Sequence, residues 1–220
     1  MQIRNGVACG VFGVSVIAFG ASGQVEITGG QTSVLLDTPL LDSAAGLTLS
    51  SVSGDVIAPG NLGADSVAFG INDRDGDLPT TFAYDPADFL GTFSGTIEHS
   101  GSVFFNGGDV EVGDFTIGFD AGRVGDDRSG FFVESTTGVA AILFDVSNPG
   151  TLDATSTSLT IGDADLLVSA EFGQFLFDNG FSSSDLAGAD VGDALVEAVP
   201  APGTFVALAG AMGLAARRRR

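Results

Sequence analysis

Hydrophobic and polar residues alternate along most of the chain, and Gly, Asp, Asn or Ser interrupts the alternation about every ten residues. Alternate residues of a strand face opposite sides of a sheet, so this period of two predicts a series of short strands. The predicted strands are Thr32–Leu36, Leu47–Val52, Ser66–Ile71, Thr92–Glu98, Ser102–Phe105, 110–119 with a bulge at Gly113-Asp114, Phe131–Glu134, Val139–Val146, Leu159–Ile161, Leu166–Ala170, Phe172–Phe177 and Ala194–Val199. The pattern therefore predicts an all-β fold, a single antiparallel β-sandwich or barrel-like domain.

Within this pattern, helix is predicted only for one turn at Asp85–Leu90 and one at Ser182–Ala187, where a serine precedes the turn as a cap. The continuous apolar run 140–144 predicts a central strand covered on both faces. Residues 99–101, His-Ser-Gly, predict a hairpin turn with an exposed His99. The stretch 189–202 is expected to form a short stalk.

The first residues of the chain have the three-part pattern of a secretory signal peptide. Arg4 gives a positive start, residues 6–20 form an uncharged apolar run, and Ala21, Ser22 and Gly23 are small residues suited to a signal peptidase. The run is shorter than the roughly 20 residues that span a bilayer. We therefore expect residues 1–23 to be a signal peptide and residues 24–198 to be an acidic, β-rich extracellular domain.

The end of the chain has a second membrane-directed pattern. Val199, Pro200, Ala201 and Pro202 precede an apolar run at 203–216, and the chain ends in Arg217, Arg218, Arg219 and Arg220. As a helix, fourteen residues cover only ~21 Å of a ~30 Å hydrocarbon core. The arginines are expected on the cytoplasmic side. We therefore expect the segment 199–220 to contain a short apolar helix that holds the protein in the inner membrane transiently.

This three-part tail resembles the PEP-CTERM sorting tail, although Ala201 stands where that family usually has glutamate. The resemblance covers residues 199–220 only. It implies recognition and cutting near the proline motif by an exosortase, a membrane enzyme of Gram-negative bacteria that make exopolysaccharide. It also implies release into the extracellular matrix or attachment at the cell surface. An ordinary tail-anchored surface protein is the alternative.

Between these segments the body is strongly acidic. All 28 carboxylates lie there, against three arginines, which leaves a net charge of −25 on residues 24–199, and the chain has no lysine. Nucleic acid is excluded as a partner, because its binding depends on cationic side chains. The one cysteine lies in the predicted signal peptide, so the exported product has no disulfide. The acidic surface favours solvation or the binding of cations.

One acidic cluster resembles the start of a calcium loop. Asp73, Asp75 and Asp77 alternate around Arg74 and Gly76, and Ca²⁺ binds several carboxylate oxygens at once. The spacing is not that of an EF-hand, and a solvated acidic turn is the alternative. Ca²⁺ is therefore the one cofactor that the residues suggest.

No catalytic constellation is recognisable in the sequence. One histidine is too few for a typical zinc site, and no serine lies in a Gly-x-Ser-x-Gly elbow. Paired carboxylates are uninformative among 28 acids, and the absence of tryptophan removes the usual platform for sugars. We therefore expect a protein that is not an enzyme.

Two short segments, Gly95–Gly101 and Leu167–Gly173, are similar in layout to HtaA-type haem-binding domains, which are secreted β-rich modules. That resemblance implies Tyr84 and His99 as candidate haem ligands. The leading hypothesis remains a secreted, non-enzymatic surface or exopolysaccharide-matrix protein sorted through its tail. The alternative is a secreted β module that binds a ligand, either Ca²⁺, polysaccharide or haem.

Overall fold

The computed structural model describes residues 23–201, and these residues fold into a mostly β protein with a curled antiparallel sheet, a half-barrel. The strands are β1 (Val25–Leu36), β2 (Leu49–Val52), β3 (Val67–Gly70), β4 (Ala83–Tyr84), β5 (Ile97–Glu98), β6 (Ser102–Phe105), β7 (Val110–Phe119), β8 (Arg128–Gly138), β9 (Ala141–Ser147), β10 (Thr151–Ala154), β11 (Leu159–Val168) and β12 (Asp190–Pro200). The helices are α1 (Thr38–Ala45), α2 (Phe89–Thr92) and α3 (Ala170–Asp178), with 3₁₀ turns at Asn106–Gly108 and Ala121–Arg123.

The sheet runs in the order β2-β6-β7-β8-β9-β11-β12-β1-β3, while β4, β5 and β10 pair with β1, β7 and β11. The prediction of an all-β fold is confirmed. A single curled sheet is closer to the barrel alternative than to two packed sheets. β9 pairs with β8 and β11 and contacts α3, so the apolar run at 140–144 marks a central strand as predicted.

The two ends of the described chain are neighbours near one edge of the sheet, beside β3. β1 and β12 pair along almost their full length, from Ile27 opposite Pro200 to Leu36 opposite Gly192. The Ala201 N–H then donates to the Glu26 carbonyl at 2.6 Å. The stalk predicted for 189–202 is therefore wrong, because alternate residues of β12 are buried and its backbone is paired.

Two clusters of buried apolar residues form the core. The larger one joins β-strand residues to both longer helices, with Leu41 from α1, Leu143 from β9, and Phe172 and Leu176 from α3. The smaller one gathers Ile27, Phe82, Tyr84, Phe89 and Leu159 near the start of β1, with other buried apolar residues. Phenylalanine supplies much of both clusters, as the composition of the chain suggests.

Helix α3 replaces the strand predicted at Phe172–Phe177. The Ser169 hydroxyl caps it by accepting a hydrogen bond from the Phe172 N–H at 3.0 Å, and Phe172 and Leu176, one turn apart, are both buried. Side chains four residues apart share a helix face, so this spacing explains the helix.

Two further differences from the prediction concern the segment Ser182–Ala187 and helix α1. Ser182–Ala187 forms no helix in the structure, and the Ser182 hydroxyl donates instead to the Ser184 carbonyl at 2.9 Å. Helix α1 was not predicted, although Asp37 caps its start and Gly46, with φ of 59°, ends it.

The hairpin predicted at His99 is also wrong, because β5 and β6 lie end to end along β7. Ile97 pairs with Ile117 and Ser102 with Gly113, so the chain continues through residues 99–101 without reversing. Asp114 has a positive φ of 48° at the place where a bulge was predicted. Of the strand predicted at Thr92–Glu98, only its last two residues are in β5.

None of the helices within residues 23–201 is long and apolar enough to cross a membrane. Most of the predicted signal peptide, the apolar run at 203–216, Pro202 and the four arginines at 217–220 lie outside the described residues.

Candidate functional site

An apolar cavity of about 100 Å³ lies in the core of the half-barrel. Alternate residues of its strands line the cavity, for example Thr32, Val34 and Leu36 of β1. Seven phenylalanines contribute to the wall, which are Phe69, Phe82, Phe105, Phe115, Phe131, Phe144 and Phe172. The cavity is thus a chamber surrounded mainly by aromatic rings and aliphatic groups.

Small residues on neighbouring strands leave part of this space open. Ala164 of β11 is paired with Ala194 of β12, and both line the cavity. Protein interiors are normally filled to crystal-like density. At about 24 cal/mol per Å³, a void of this size costs the fold about 2 kcal/mol.

Two hydrogen-bonded polar side chains, Thr32 and His99, also line the cavity. His99 Nδ1 lies 3.0 Å from the Phe115 carbonyl oxygen, and His99 Nε2 lies 2.8 Å from Thr32 Oγ1. A carbonyl only accepts, so Nδ1 holds the proton, and Nε2 accepts from the Thr32 hydroxyl. His99 is 2% exposed, and this burial lowers its pKa to about 4, although the bond to Phe115 acts in the opposite direction. The prediction of an exposed His99 is therefore wrong.

Ser129 is the third polar side chain in the wall of the cavity. Its Oγ donates to the Val146 carbonyl at 2.8 Å and accepts from the Phe131 N–H at 3.2 Å. The donor of Ser129 is thus already used within the protein.

Several residues of the lining are half-buried, and Ser129, Phe131 and Pro149 are those near the start of β8. Phe131 belongs to a group of three rings with Phe93 and Phe119, whose centroids lie 4.9–5.3 Å apart. Phe119 is 40% exposed, so this group of rings joins the cavity wall to the surface.

A partly buried network of charged side chains lies next to the start of β8. Arg123 Nε donates to Asp145 Oδ1 at 2.6 Å, and its two terminal nitrogens donate to the two Glu171 oxygens at 2.7 and 2.9 Å. The bidentate bond from Arg123 lowers the pKa of the Glu171 carboxyl to about 2 and raises that of the guanidinium itself. Arg123 thereby ties the β7–β8 connection to β9 and to the first turn of α3.

The other two arginines of the body are also paired with carboxylates. Arg128 lies 3.6 Å from Asp145 Oδ2, and Arg74 lies 3.4 Å from Glu26 Oε2. Each arginine between residues 23 and 201 therefore has an acidic partner.

Asp73, Asp75 and Asp77 lie on an exposed turn after β3. Within the described part of the chain, no group of three or more acidic, His or Cys side chains is arranged to hold a metal ion. The Ca²⁺ site thus stays a prediction from the spacing of these residues.

Tyr84 lies in the smaller core cluster and is fully buried. Its hydroxyl is 2.6 Å from the Thr155 carbonyl and 3.2 Å from that of Ser158, and its pKa is raised to about 12, mainly by burial and also by Asp153. Tyr84 and His99 are therefore both engaged in internal hydrogen bonds and are not brought together as a ligand pair.

The sorting motif begins inside the sheet. Val199 and Pro200 are the last residues of β12, and the N–H of Ala201 continues the pairing with β1. The predicted tail therefore starts where the fold ends.

Thr32, the cavity and the Arg123 network were not predicted from the sequence. Thr32 and His99 are 67 residues apart, and no local pattern links them. The scarcity of cations makes each of the three arginines of the body a natural partner for a carboxylate, but nothing in the sequence distinguishes Arg123 from the other two.

No protein-family model and no curated protein matches this sequence. Among solved structures, the fold is similar to the crystal structure of the C-terminal domain of HtaA from Corynebacterium glutamicum, with a TM-score of 0.51. The similarity covers 80% of this chain and 99% of that chain, at 15% sequence identity. At this sequence identity the similarity shows a shared fold and does not indicate which ligand this chain binds.

Proposed function

We propose that this chain is an exported, non-enzymatic β module that binds a compact apolar ligand, or the apolar end of a larger one, in the cavity of its half-barrel. The cavity itself carries the proposal. It is lined almost entirely by apolar side chains and is left open at a cost of about 2 kcal/mol, a cost that ligand binding would recover.

Access from the surface is proposed at the start of β8. There the half-buried Phe131 and Pro149 line the cavity, and the more exposed Phe119 packs against Phe131. Rotation of these rings would admit a small molecule without breaking a strand pair.

The test uses toluene as a probe and a variant whose cavity is filled. Ala164→Leu adds three carbon atoms inside the cavity, whereas Ala140→Leu adds the same group at an exposed position between β8 and β9. Toluene should raise the Tm of the exported protein and of the Ala140→Leu control in a saturable way, because a ligand of the folded state stabilises it. It should leave Ala164→Leu unchanged.

If Ala164→Leu does not fold, Val133→Ala serves as the second variant. It enlarges the cavity and should raise the affinity for ethylbenzene relative to toluene. Absence of any saturable toluene effect on the unmodified protein would refute the proposed function.

Haem does not fit this site. A cavity of about 100 Å³ is below the ~300–1,000 Å³ of pockets that hold drug-sized ligands. Both candidate axial ligands, Tyr84 and His99, already use their polar atoms within the fold. Titration with hemin should therefore give no ligand-field shift in absorbance, and a saturable shift would return haem to consideration.

We also propose delivery to the cell surface or extracellular matrix through the C-terminal tail and an exosortase-type enzyme. One observation supports this route: β1 starts at Val25, directly after the predicted signal peptide. At the other end, Val199 and Pro200 of the predicted tail are paired in β12, so only the part of the tail after Ala201 is expected to be removed.

The intact mass of the protein recovered from the surface of its host tests this route. A product that begins near Gln24 and ends at or just after Ala201 is expected, because a cut before Pro200 would remove the paired end of β12. A mass that still includes residues 217–220 would contradict processing.

A further inference from the structure

We infer that the cavity selects a neutral, one-ring aromatic molecule that carries a hydroxyl group, and that Thr32 Oγ1 accepts the hydrogen bond from this hydroxyl. The inference rests on the function proposed above and adds the chemical class of the ligand. The hydrogen-bonded pair of Thr32 and His99 in the apolar wall carries it.

The size and composition of the wall favour one aromatic ring. A dry cavity of about 150 Å³ lined by Leu, Ile and Phe takes up benzene, and this cavity of about 100 Å³ is of the same order. Phe69 and Phe115 in the wall already pack edge to face, with centroids 4.8 Å apart and planes at 72°. A ring bound among the phenylalanines would make further contacts of this favoured kind.

The polar pair is oriented to accept a hydrogen bond from a ligand. The Thr32 hydroxyl donates to His99 Nε2, because Nδ1 carries the proton bound to the Phe115 carbonyl. A hydroxyl oxygen has two acceptor positions, and within residues 23–201 no N–H or O–H group donates to Thr32 Oγ1. A hydroxyl on the ligand would supply that donor.

Groups that only accept hydrogen bonds are disfavoured in the same cavity. The Thr32 and Ser129 hydroxyl protons are both used within the protein, on His99 and on Val146. A buried carbonyl or ether oxygen would therefore remain without a donor, which costs about 1–3 kcal/mol.

Anions are excluded more strongly. The chain has no lysine, and Arg74, Arg123 and Arg128 are each paired with a carboxylate of the protein. A carboxylate that left water for this cavity would find no cation to compensate its lost hydration. A neutral hydroxyl carries no such cost.

The test compares phenol, toluene and benzoate, which share one ring, on the exported protein by calorimetry at pH 7. Phenol and toluene should bind, and benzoate should not. Thr32→Val alone would free His99 Nε2 to accept the same hydrogen bond, so the double variant Thr32→Val, His99→Phe is compared with His99→Phe alone. The ratio of phenol affinity to toluene affinity should be about tenfold lower in the double variant. Thr32→Ser keeps the hydroxyl and should keep the ratio of the unmodified protein.

The outcomes separate this inference from the function on which it rests. If toluene binds but the double variant Thr32→Val, His99→Phe has the same affinity ratio as His99→Phe alone, Thr32 does not bind the ligand hydroxyl, and the inference is overturned while the cavity function stands. Binding of benzoate as tight as that of phenol would also overturn it. If none of the three compounds binds to the unmodified protein, the proposed function itself fails.

Discussion

The replacement of Arg123 by Met should destabilise the fold far more than the loss of a typical surface ion pair. Arg123 is the principal partner of Asp145, whose side chain is only 5% exposed, and it also holds Glu171 through two hydrogen bonds. Methionine keeps much of the side-chain volume but leaves Asp145 as a buried charge with only Arg128, at 3.6 Å, beside it.

The expected loss in the free energy of unfolding follows from the burial of the Asp145 carboxylate. Removal of one partner of a buried pair costs about 3–5 kcal/mol, because the remaining charge stays desolvated. Arg128 compensates part of this charge, and the Glu171 side chain is 45% exposed and adds little, so we expect about 3 kcal/mol. Arg74→Gln is the matched control, since its partner Glu26 is 54% exposed, and it should cost about 1 kcal/mol or less.

Urea unfolding followed by far-ultraviolet circular dichroism measures both variants. With a typical slope of ~2 kcal/mol per M, Arg123→Met should lower the midpoint by about 1.5 M and Arg74→Gln by at most about 0.5 M. Adding Asp145→Asn to Arg123→Met should recover part of the loss, because the buried charge is then gone. Equal midpoints for the two single variants, or no recovery in the double variant, would refute the reasoning.

Two further predictions concern His99 and Gly30. The free energy of unfolding should fall by about 2 kcal/mol between pH 7 and pH 5 through His99, because in the unfolded chain, with its pKa near 6.5, it binds a proton that the folded chain, with its pKa of about 4, does not. The same urea measurement on His99→Gln should show a weaker dependence on pH, and an equal dependence would contradict the assignment. Gly30→Ala should cost at least about 2 kcal/mol, since Gly30 has a φ of 118° and a Cβ there would overlap the Glu197 carbonyl on β12. Gly29→Ala next to it, where a Cβ meets no atom within 4 Å, should have a much smaller effect, and similar losses at both positions would count against this account of the β1–β12 pair.

The period-two pattern predicted the fold class and many strands because it reflects burial on one face of a sheet. β6 has the predicted bounds, Ser102–Phe105. β1 begins at Val25, seven residues before its predicted start, because Gly29 and Gly30 interrupt the alternation within a strand that backbone pairing to β12 continues. The alternation of apolar and polar residues therefore predicted where strands occur better than it predicted where each strand begins and ends.

The errors in secondary structure have a common cause, which is that aromatic and small polar residues fit more than one local structure. Phe172–Phe177 is compatible with a strand until the Ser169 cap and the i, i+4 spacing of Phe172 and Leu176 are considered. His99 between Glu98 and Ser100 looks like part of a turn, and only contacts with distant parts of the chain bury it.

The candidate site could not be predicted from the sequence, because it depends on contacts between distant parts of the chain. A cavity depends on which side chains meet across the half-barrel, as Ala164 and Ala194 do through strand pairing. The pairing of Thr32 with His99 likewise depends on strand order, which no local pattern specifies. The composition did show that cationic side chains are scarce, and the exclusion of anionic ligands from the cavity depends on that scarcity.

Methyl-resolved NMR of the unmodified protein during a toluene titration tests the central claim most directly. The account predicts saturable shifts at methyl groups that line the cavity, such as those of Val133, Leu143 and Leu166, and none at the exposed Leu90. Shifts that do not saturate, or that are as large at Leu90 as inside the half-barrel, would contradict a ligand-binding cavity.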